Sequence, residues 1–186
     1  ASIMQGAMLR GPLFIGRNSL VKMGAKVYGA TTIGPSCLAG GEIKNSVIMG
    51  YSNKAHDGYL GDSVIGTWCN LGAGTSNSNL KNNAGEITLH IPTFNEPVKA
   101  GTKCGLLMGD YSRSAINTSF NTGTVMGVSC NIFGKPPDKF VPNFTWGEEK
   151  YDFEKAIRDI DNWKKLKGFE ITEQETTSLK KLYNQL

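Results

Sequence analysis

The chain has 186 residues, of which 23 are glycine and 19% are charged, and its formal net charge is +4. This size favours one domain with a small appendage, and the modest charge argues against both intrinsic disorder and a nucleic-acid partner. No apolar run approaches the roughly 18 residues that a membrane-spanning helix needs, so no membrane partner is expected. The four cysteines are scattered without a Cys-x-x-Cys pair, which predicts free thiols in the reducing cytoplasm.

Aliphatic residues recur every six positions along most of residues 7–135. The series are Ile15, Val21, Val27, Ile33 and Ala39, then Ile65 and Leu71, then Met108, Phe120, Met126 and Ile132, with Ser114 as the gap in the last series. This period matches neither a helix nor an alternating strand, and it indicates short strands that each turn one aliphatic side chain inward before a corner. It resembles the hexapeptide repeats of the left-handed parallel β-helix, which predicts an all-β fold of triangular coils. A β-sandwich, with turns every 8 to 12 residues or so, fits less well.

Two segments depart from this period. Between Ser76 and Gly101 the repeat fails, and the alternation of Ile87, Leu89 and Ile91 predicts a hairpin within an excursion loop. After residue 135, a strap rich in proline and aromatic residues leads into two amphipathic helices. We therefore expect a β-helix acyltransferase domain over 1–135, with its excursion at about 76–101, and a helical appendage over 136–186.

The two predicted helices have apolar faces and recognisable ends. The first carries Phe153, Ile157, Ile160 and Trp163 on one face and ends near Gly168. The second opens with a capping-box sequence and carries Leu179, Leu182, Tyr183 and Leu186. The pair is predicted either to cap the open end of the coil stack or to contact another subunit. The lysines predicted to lie on solvated faces are Lys164, Lys165, Lys167, Lys180 and Lys181.

The stretch from Glu42 to Thr75 is the best candidate for chemistry, because it gathers polar residues between short apolar-Gly units. Within it, the run SNKAHDGYLGDSVIGTWCNLGAGT resembles the acetyltransferase domain of the bifunctional N-acetylglucosamine-1-phosphate uridylyltransferase and glucosamine-1-phosphate acetyltransferases. The later run KCGLLMGDYSRSAINTSFNTGTVMG resembles related archaeal sugar-phosphate nucleotidyltransferases. The shared spacing of His, YLGD and NxGAGT is far more specific than a hexapeptide repeat alone.

The resemblance implies an acetyl-CoA-dependent N-acetyltransferase that acts on an amino-sugar 1-phosphate, such as glucosamine 1-phosphate, in UDP-N-acetylglucosamine biosynthesis. It implies one half of a bifunctional sugar nucleotidyltransferase. The nucleotidyltransferase half is not expected in this sequence, because no glycine-rich nucleotide loop precedes the repeats. It also implies a homotrimer in which acetyl-CoA lies between neighbouring subunits, and it implies no metal.

By the same resemblance, His56 is the general base that takes a proton from the sugar amine. An imidazole suits this role because its ordinary pKa lies near neutrality. The phosphate is expected to meet Lys44 and Tyr59, and Lys26 is among the nearest basic residues to a missing family arginine. The acceptor-site asparagines correspond to Asn70 and Asn79.

The resemblance also assigns acetyl-CoA contacts. The backbone N–H of Ala73 would bind the thioester oxygen as negative charge develops on it. Asp110 and Gly134 correspond to cofactor contacts, with Lys135 or Arg113 available for the phosphates. Two departures from the family are Asp110, which replaces a smaller hydroxyl residue, and Leu80, which replaces a tyrosine.

Other functions stay open at this point. An O-acetyltransferase would use the same base, and a non-catalytic β-helix could serve assembly or regulation of a sugar-1-phosphate nucleotidyltransferase. A zinc carbonic anhydrase on this fold would need three histidines, and the chain has only His56 and His90.

Overall fold

The computed structural model describes residues 1–185, and most of this range winds into a parallel β-helix, as the six-residue period predicts. Each coil contributes short strands to flat faces, on which the strands of successive coils pair in parallel. The first face contains Ser2–Ile3, Leu20–Val21, Leu38–Ala39, Asn53–Lys54, Asn70–Leu71, Arg113–Ser114, Asn131–Ile132 and Thr145–Trp146, with Glu149–Lys150 antiparallel at its edge. The second face contains Met8–Arg10, Lys26–Tyr28, Glu42–Lys44, Tyr59–Gly61, Ser76–Asn77 and Ser119–Phe120. The third contains Leu13–Ile15, Thr31–Ile33, Val47–Ile48, Val64–Ile65, Leu106–Met108, Thr124–Met126 and Phe140–Val141.

We number the coils from the N-terminus. Coil 1 spans residues 2–15, coil 2 spans 20–33, coil 3 spans 38–48, coil 4 spans 53–65, coil 5 spans 70–108, coil 6 spans 113–126 and coil 7 spans 131–141. Phe140–Val141 and Thr145–Trp146 pair with strands of coils 6 and 7, so the segment predicted as an extended strap adds strands to the stack.

The core of the stack is formed by the side chains that each strand turns inward. Val21, Ile33, Ile43 and Ile65 are completely buried there, and successive coils place such residues directly above one another. Removing a side chain of this size from water stabilises the fold by about 1.5–3 kcal/mol. The repeated aliphatic position of the sequence is therefore the position that builds this core.

The excursion in coil 5 packs against the outside of the third face. It contains the predicted hairpin, formed by the antiparallel strands Thr88–Leu89 and Val98–Lys99. Ile87 and Leu89 pack beside Leu107 and Val125 on that face. The hairpin thus covers the outer surface of coils 5 and 6.

The C-terminal segment forms helix α1, Phe153–Lys165, and helix α2, Glu173–Tyr183. The Asp152 side chain caps α1, and Thr172 and Glu175 form the predicted capping box of α2. Leu186, which was predicted on the apolar face of α2, lies outside the described residues.

Both helices pack along the corner between the third and first faces rather than across the open end of the stack. A residue with positive φ stands at this corner in each successive coil, and four of these residues are aromatic, with Ser129 between the last two: Tyr51, Trp68, Tyr111 and Phe144. The Tyr51 and Trp68 rings stack at 4.4 Å, and Phe169 meets both edge-on. Left-handed backbone is costly for such residues, and packing of the tail offsets that cost.

The prediction that all the helix lysines are solvated is wrong for Lys164 and Lys167. Lys164 is 4% exposed and its ammonium lies 2.6 Å from the Glu175 carboxylate. Lys167 donates to the Ser36 carbonyl at 2.8 Å and to the Asn53 side chain at 3.0 Å. The Glu175 carboxylate and two oxygen atoms of the β-helix offset the free-energy cost of burying these ammonium groups. The helical pattern of the sequence could not reveal these partners.

Candidate active site

His56 lies at the corner where the first face turns into the second. On the first face, the inward residues of successive coils stack on one another. The residues two positions further along the chain stack in the same way and form a column at this corner, which contains Met23, His56, Ala73, Ile116 and Gly134. Neighbouring coils are about 4.8 Å apart in this direction. His56 in coil 4 and Ala73 in coil 5 are therefore neighbours along the corner.

The corner of coil 3 is shorter than those on either side of it. Residues 22–26 separate the inward positions of coil 2 and residues 55–59 separate those of coil 4, whereas only residues 40–42 do so in coil 3. Gly40 and Gly41 make this possible. A Cβ on Gly40 would lie 2.2 Å from the Ala55 carbonyl oxygen, and one on Gly41 would lie 2.7 Å from that of His56.

This short corner lies within a groove of about 560 Å³ that His56 and Ala73 line. His56 is exposed to solvent in the groove. Lys22, Met23 and Ile116 also line it, and the two apolar side chains are 67% and 68% exposed. The groove therefore combines an imidazole, a cation and apolar surface that could meet an aliphatic chain.

Ala73 offers a free backbone donor in the groove. Its N–H has no hydrogen-bond partner within residues 1–185, while its carbonyl accepts from the Asn117 N–H at 2.7 Å. The N–H groups of Met23 and Ile116 are likewise unpaired within that range, so the free donor is a property of the corner geometry. The distinctive feature of Ala73 is that it stands one coil from His56.

The second face places three predicted binding residues beside this corner. On this face Glu42 lies between Lys26 and Tyr59 of the neighbouring strands, and Lys44 lies between Tyr28 and Gly61. Within residues 1–185, neither Lys26 nor Lys44 forms an ion pair. Two cations in one small area create a favourable potential for an anionic group.

The Glu42 carboxylate is engaged by a neighbouring phenol. The Tyr28 hydroxyl donates to Glu42 at 2.6 Å, and this hydrogen bond, together with burial, raises the pKa of Tyr28 to about 12. Sequence reasoning missed Tyr28 and Glu42 because neither matches a motif. Their positions opposite Lys26 and Lys44 on neighbouring strands are the feature from which they could have been identified.

Tyr59 and Asn79 form a linked pair. The Asn79 amide donates to the Tyr59 hydroxyl at 3.1 Å and also to the Asp62 carboxylate. Burial and the charges of Asp62 and Glu42 raise the pKa of Tyr59, so its phenol stays protonated and keeps a hydrogen to donate. The structure thus brings Asn79 to the second face, beside the phosphate-binding candidates.

Asn70 stands apart from the groove. It lies on the first face, where its side-chain oxygen accepts from the Asn53 amide at 3.3 Å, and Asn53 in turn contacts Lys167 of the tail. Arg113, on the same face, is 5% exposed and lies under the Trp163 ring at 5.0 Å, so it is not free to meet a cofactor phosphate in this conformation.

The two remaining cofactor candidates lie in different places. Asp110 stands at the corner between the third and first faces, where its carboxylate accepts from the Thr67 N–H at 2.7 Å. Gly134 is exposed in the His56 column, and Lys135 beside it pairs with Glu148. Lys135 also lines a separate cavity of about 500 Å³ at the C-terminal end of the stack.

The structure also reveals a buried charge that the sequence reading missed. Lys54 is 1% exposed and occupies the inward column of the first face, above Ala39. Its ammonium donates to the Gly40 carbonyl at 3.4 Å and to the His56 carbonyl. Burial lowers its pKa to about 8, against the opposing influence of Asp57.

Within residues 1–185, no three or more His, Cys, Asp or Glu side chains converge as a metal site would require. None of the helices found there has the length and apolar character to cross a bilayer.

Comparisons with known proteins find relatives of the kind that the resemblance names. No protein-family model matches the chain. The Methanocaldococcus jannaschii bifunctional protein GlmU is 35% identical over 91 residues, which cover 49% of this chain and 22% of the relative. The GlmU of Methanococcus vannielii is 34% identical over 121 residues, covering 65% of this chain and 28% of the relative.

Two further similarities complete the comparison. A bifunctional sugar-1-phosphate nucleotidylyltransferase/acetyltransferase from Sulfurisphaera tokodaii is 34% identical over 50% of this chain and 23% of its own length. The acetyltransferase domain of PglB from Neisseria gonorrhoeae has a TM-score of 0.24 at 17% identity, over 74% of this chain and 51% of that one, and this score supports no further argument. The matched segments span less than a third of these bifunctional relatives. The predicted resemblance is confirmed: over about half of its length, this chain is similar to the bifunctional GlmU and sugar-1-phosphate nucleotidylyltransferase/acetyltransferase proteins.

Proposed function

We propose that this chain is the acetyltransferase part of a bifunctional sugar-1-phosphate nucleotidyltransferase and transfers an acetyl group from acetyl-CoA to an amino-sugar 1-phosphate. Glucosamine 1-phosphate, or a similar amino sugar, is the proposed acceptor, in nucleotide-sugar biosynthesis. The observation that carries this proposal is the corner groove, where His56 and the free Ala73 N–H are one coil apart.

The groove supports a direct transfer. The sugar amine attacks the thioester carbonyl, and a C–N bond forms while the carbonyl oxygen becomes an oxyanion. The Ala73 N–H stabilises that oxyanion, and His56 takes the proton that the amine loses. When the oxyanion collapses, the C–S bond breaks and the CoA thiolate leaves with a proton.

No covalent enzyme intermediate is needed in this scheme. Burial raises the pKa of all four cysteine thiols, so none is poised as a thiolate nucleophile: Cys37, Cys69, Cys104 and Cys130. The same free thiols support the proposed cytoplasmic location.

The second face is the proposed phosphate site. Lys26 and Lys44 supply charge without an ion-pair partner in the described range, and Tyr59 supplies a hydroxyl donor. Asn79 fixes the position of that hydroxyl. The sugar would then extend from this face towards His56.

A homotrimer is proposed because a neighbouring chain would account for two further features. On the third face one outward column runs through Phe14, Thr32, Val47 and Val64. Its three apolar members are 60%, 36% and 38% exposed, which suits a subunit contact. Asn70 and Asp110 lie away from the groove of their own chain. In a trimer they would act on the groove of another subunit.

The test is release of free thiol from acetyl-CoA on addition of glucosamine 1-phosphate or galactosamine 1-phosphate. His56→Ala should lower kcat by roughly 10²- to 10⁴-fold, the usual contribution of a general base. His90→Ala is the matched control, since His90 lies in the hairpin excursion and should leave turnover unchanged. Equal turnover in His56→Ala would refute the base.

A protein without turnover on either sugar would favour the second candidate, a non-catalytic assembly or regulatory domain of a nucleotidyltransferase. The buried position of Arg113 under the tail is the observation that favours it, because this removes a cation from reach of a CoA phosphate. Acetyl-CoA binding, measured by calorimetry, would then separate the two.

A further inference from the structure

Lys54 occupies a position that is aliphatic in neighbouring coils. In the inward column of the first face, coils 2, 3 and 5 carry Val21, Ala39 and Leu71, coil 6 carries the small polar Ser114, and all four are buried. An ammonium in such a site costs free energy unless strong acceptors meet it. A packing role alone would be served better by an aliphatic side chain, so the contacts of the ammonium need an explanation.

The turn at His56 has a different backbone conformation from its equivalents. In coils 2, 5 and 6, the residue after the column position has positive φ: Gly24 at 69°, Gly74 at 75° and Asn117 at 56°. In coil 4 the positive φ moves one residue further on, to Gly58 at 119°. A Cβ on Gly58 would lie 2.1 Å from the Thr75 carbonyl oxygen, so this turn needs glycine.

The hydrogen bonds along the corner shift in the same way. The Asn117 N–H donates to the Ala73 carbonyl at 2.7 Å, and the equivalent bond one coil earlier would run from Gly74 to His56. Instead the Gly74 N–H donates to the Asp57 carbonyl at 2.9 Å. The His56 carbonyl is left without this coil-to-coil donor, and the Lys54 ammonium takes that place.

From this geometry we infer that Lys54 is a positioning residue, which holds the altered turn at residues 56–58 and thereby orients the His56 imidazole in the groove. This inference rests on the proposed function for its kinetic consequence, though not for its geometry. Ala39 and Gly40 leave room for the lysine chain beneath the turn, and the Gly40 carbonyl gives the ammonium a second acceptor.

The test compares wild type with Lys54→Met, which keeps an unbranched side chain of similar length and removes the charge. We expect kcat to fall about tenfold or more, because a small displacement of a reacting group has large kinetic effects, while KM for each substrate stays within about threefold. The melting temperature should not fall. Lys54→Leu, which copies coil 5, should behave in the same way if the methionine variant does not fold.

The matched control is Ile65→Ala, a fully buried residue on the third face of the same coil. It should lower the melting temperature and leave kcat unchanged at a temperature where the protein is folded. The opposite pattern for Lys54 would overturn the inference: a lower melting temperature with an unchanged kcat describes a residue that only packs.

A second readout separates this inference from the proposed function. The chain has two histidines, so their ring resonances can be assigned with His56→Ala and followed in Lys54→Met. The His56 ring signals should move and those of His90 should not. Movement in a protein that lacks acetyl transfer would support the positioning role and reject the function, whereas unmoved His56 signals would overturn the positioning role whether or not the enzyme turns over.

Discussion

Replacing Lys54 with methionine should change how the free energy of unfolding depends on pH. Burial lowers the pKa of Lys54 from its ordinary value of 10.5 to about 8. At about 1.4 kcal/mol per pKa unit, this difference corresponds to about 3 kcal/mol of unfavourable free energy in the folded state when the lysine is charged.

The sign follows from the lower pKa in the folded protein. Above pH 8 the unfolded chain holds the Lys54 proton more tightly than the folded chain, so the wild type gains stability as the pH rises from about 8 towards 10.5. Below pH 8 the full cost of the buried charge is present. The methionine variant lacks this titration, and the difference in free energy of unfolding between the two proteins should therefore change by roughly 2–3 kcal/mol between pH 7 and pH 10 in favour of the wild type.

Urea unfolding of both proteins at a series of pH values would measure this. One fixed protein concentration is required because the unfolding of an oligomer depends on it. The tyrosines, cysteines and other lysines titrate in both proteins, so their contributions cancel in the difference. Parallel curves for the two proteins from pH 7 to pH 10 would refute the reasoning, since they would mean that Lys54 has the same pKa in the folded and unfolded states.

Three other changes test separate parts of the structure. Gly61→Ala would bring a Cβ within 2.1 Å of the Tyr59 hydroxyl, so KM for the sugar phosphate should rise about tenfold with kcat nearly unchanged, and normal sugar binding by calorimetry would contradict this. Glu175→Gln replaces the charged partner of the buried Lys164 ammonium with a neutral one and should lower the free energy of unfolding by about 2 kcal/mol in urea at pH 7, since hydrogen bonds to charged groups contribute about this much. Burial alone would raise the pKa of Glu175, but hydrogen bonds from Lys164 and a backbone N–H lower it to about 2, so wild type should lose this stability as the pH falls from 4.5 towards 2. Val64→Lys should convert a trimer to monomers in light scattering, and an unchanged mass would argue against the third face as the interface.

The sequence predicted the β-helix and its core because one period of six runs through both. The excursion hairpin and the capping box of α2 were also predictable, since each depends on residues close together in the chain. The packing of the C-terminal segment on the corner was not predictable. The sequence does not distinguish Tyr51 and Trp68 from other corner residues, and only the structure shows their contacts with Phe169.

The composition of the site was only partly predictable, because the coils differ in length. A strict coil of about 18 residues would stack Lys44 on Asp62, but the shortened corners place it on Gly61. The motif identified His56 and Ala73, which do line one groove. Lys54 was not predicted to be buried. The six-residue period changes phase before this position, so the period does not mark residue 54 as an inward residue.

Departures from the repeat cluster in coils 3, 4 and 5, and coil 6 adds one more, the buried Ser114 in the inward column of the first face. Coil 3 has the Gly40–Gly41 corner, coil 4 has Lys54 in its core, and coil 5 leaves the stack after Asn77. Between coils 4 and 5 the second face also lacks backbone pairing, since side chains of coil 5 accept from the Tyr59 and Gly61 N–H groups.

A regular β-helix stabilises itself by repeating one inward residue and one corner, so each departure gives up some packing or some backbone hydrogen bonds. Random drift would scatter such departures along the stack. The departures in coils 3, 4 and 5 surround the exposed imidazole of the groove and the tyrosine beside it, which is the distribution expected if local stability has been exchanged for the proposed site. The paired strands of coils 1 and 2 on one side, and of coils 6 and 7 on the other, hold the irregular corner in position and make that exchange tolerable.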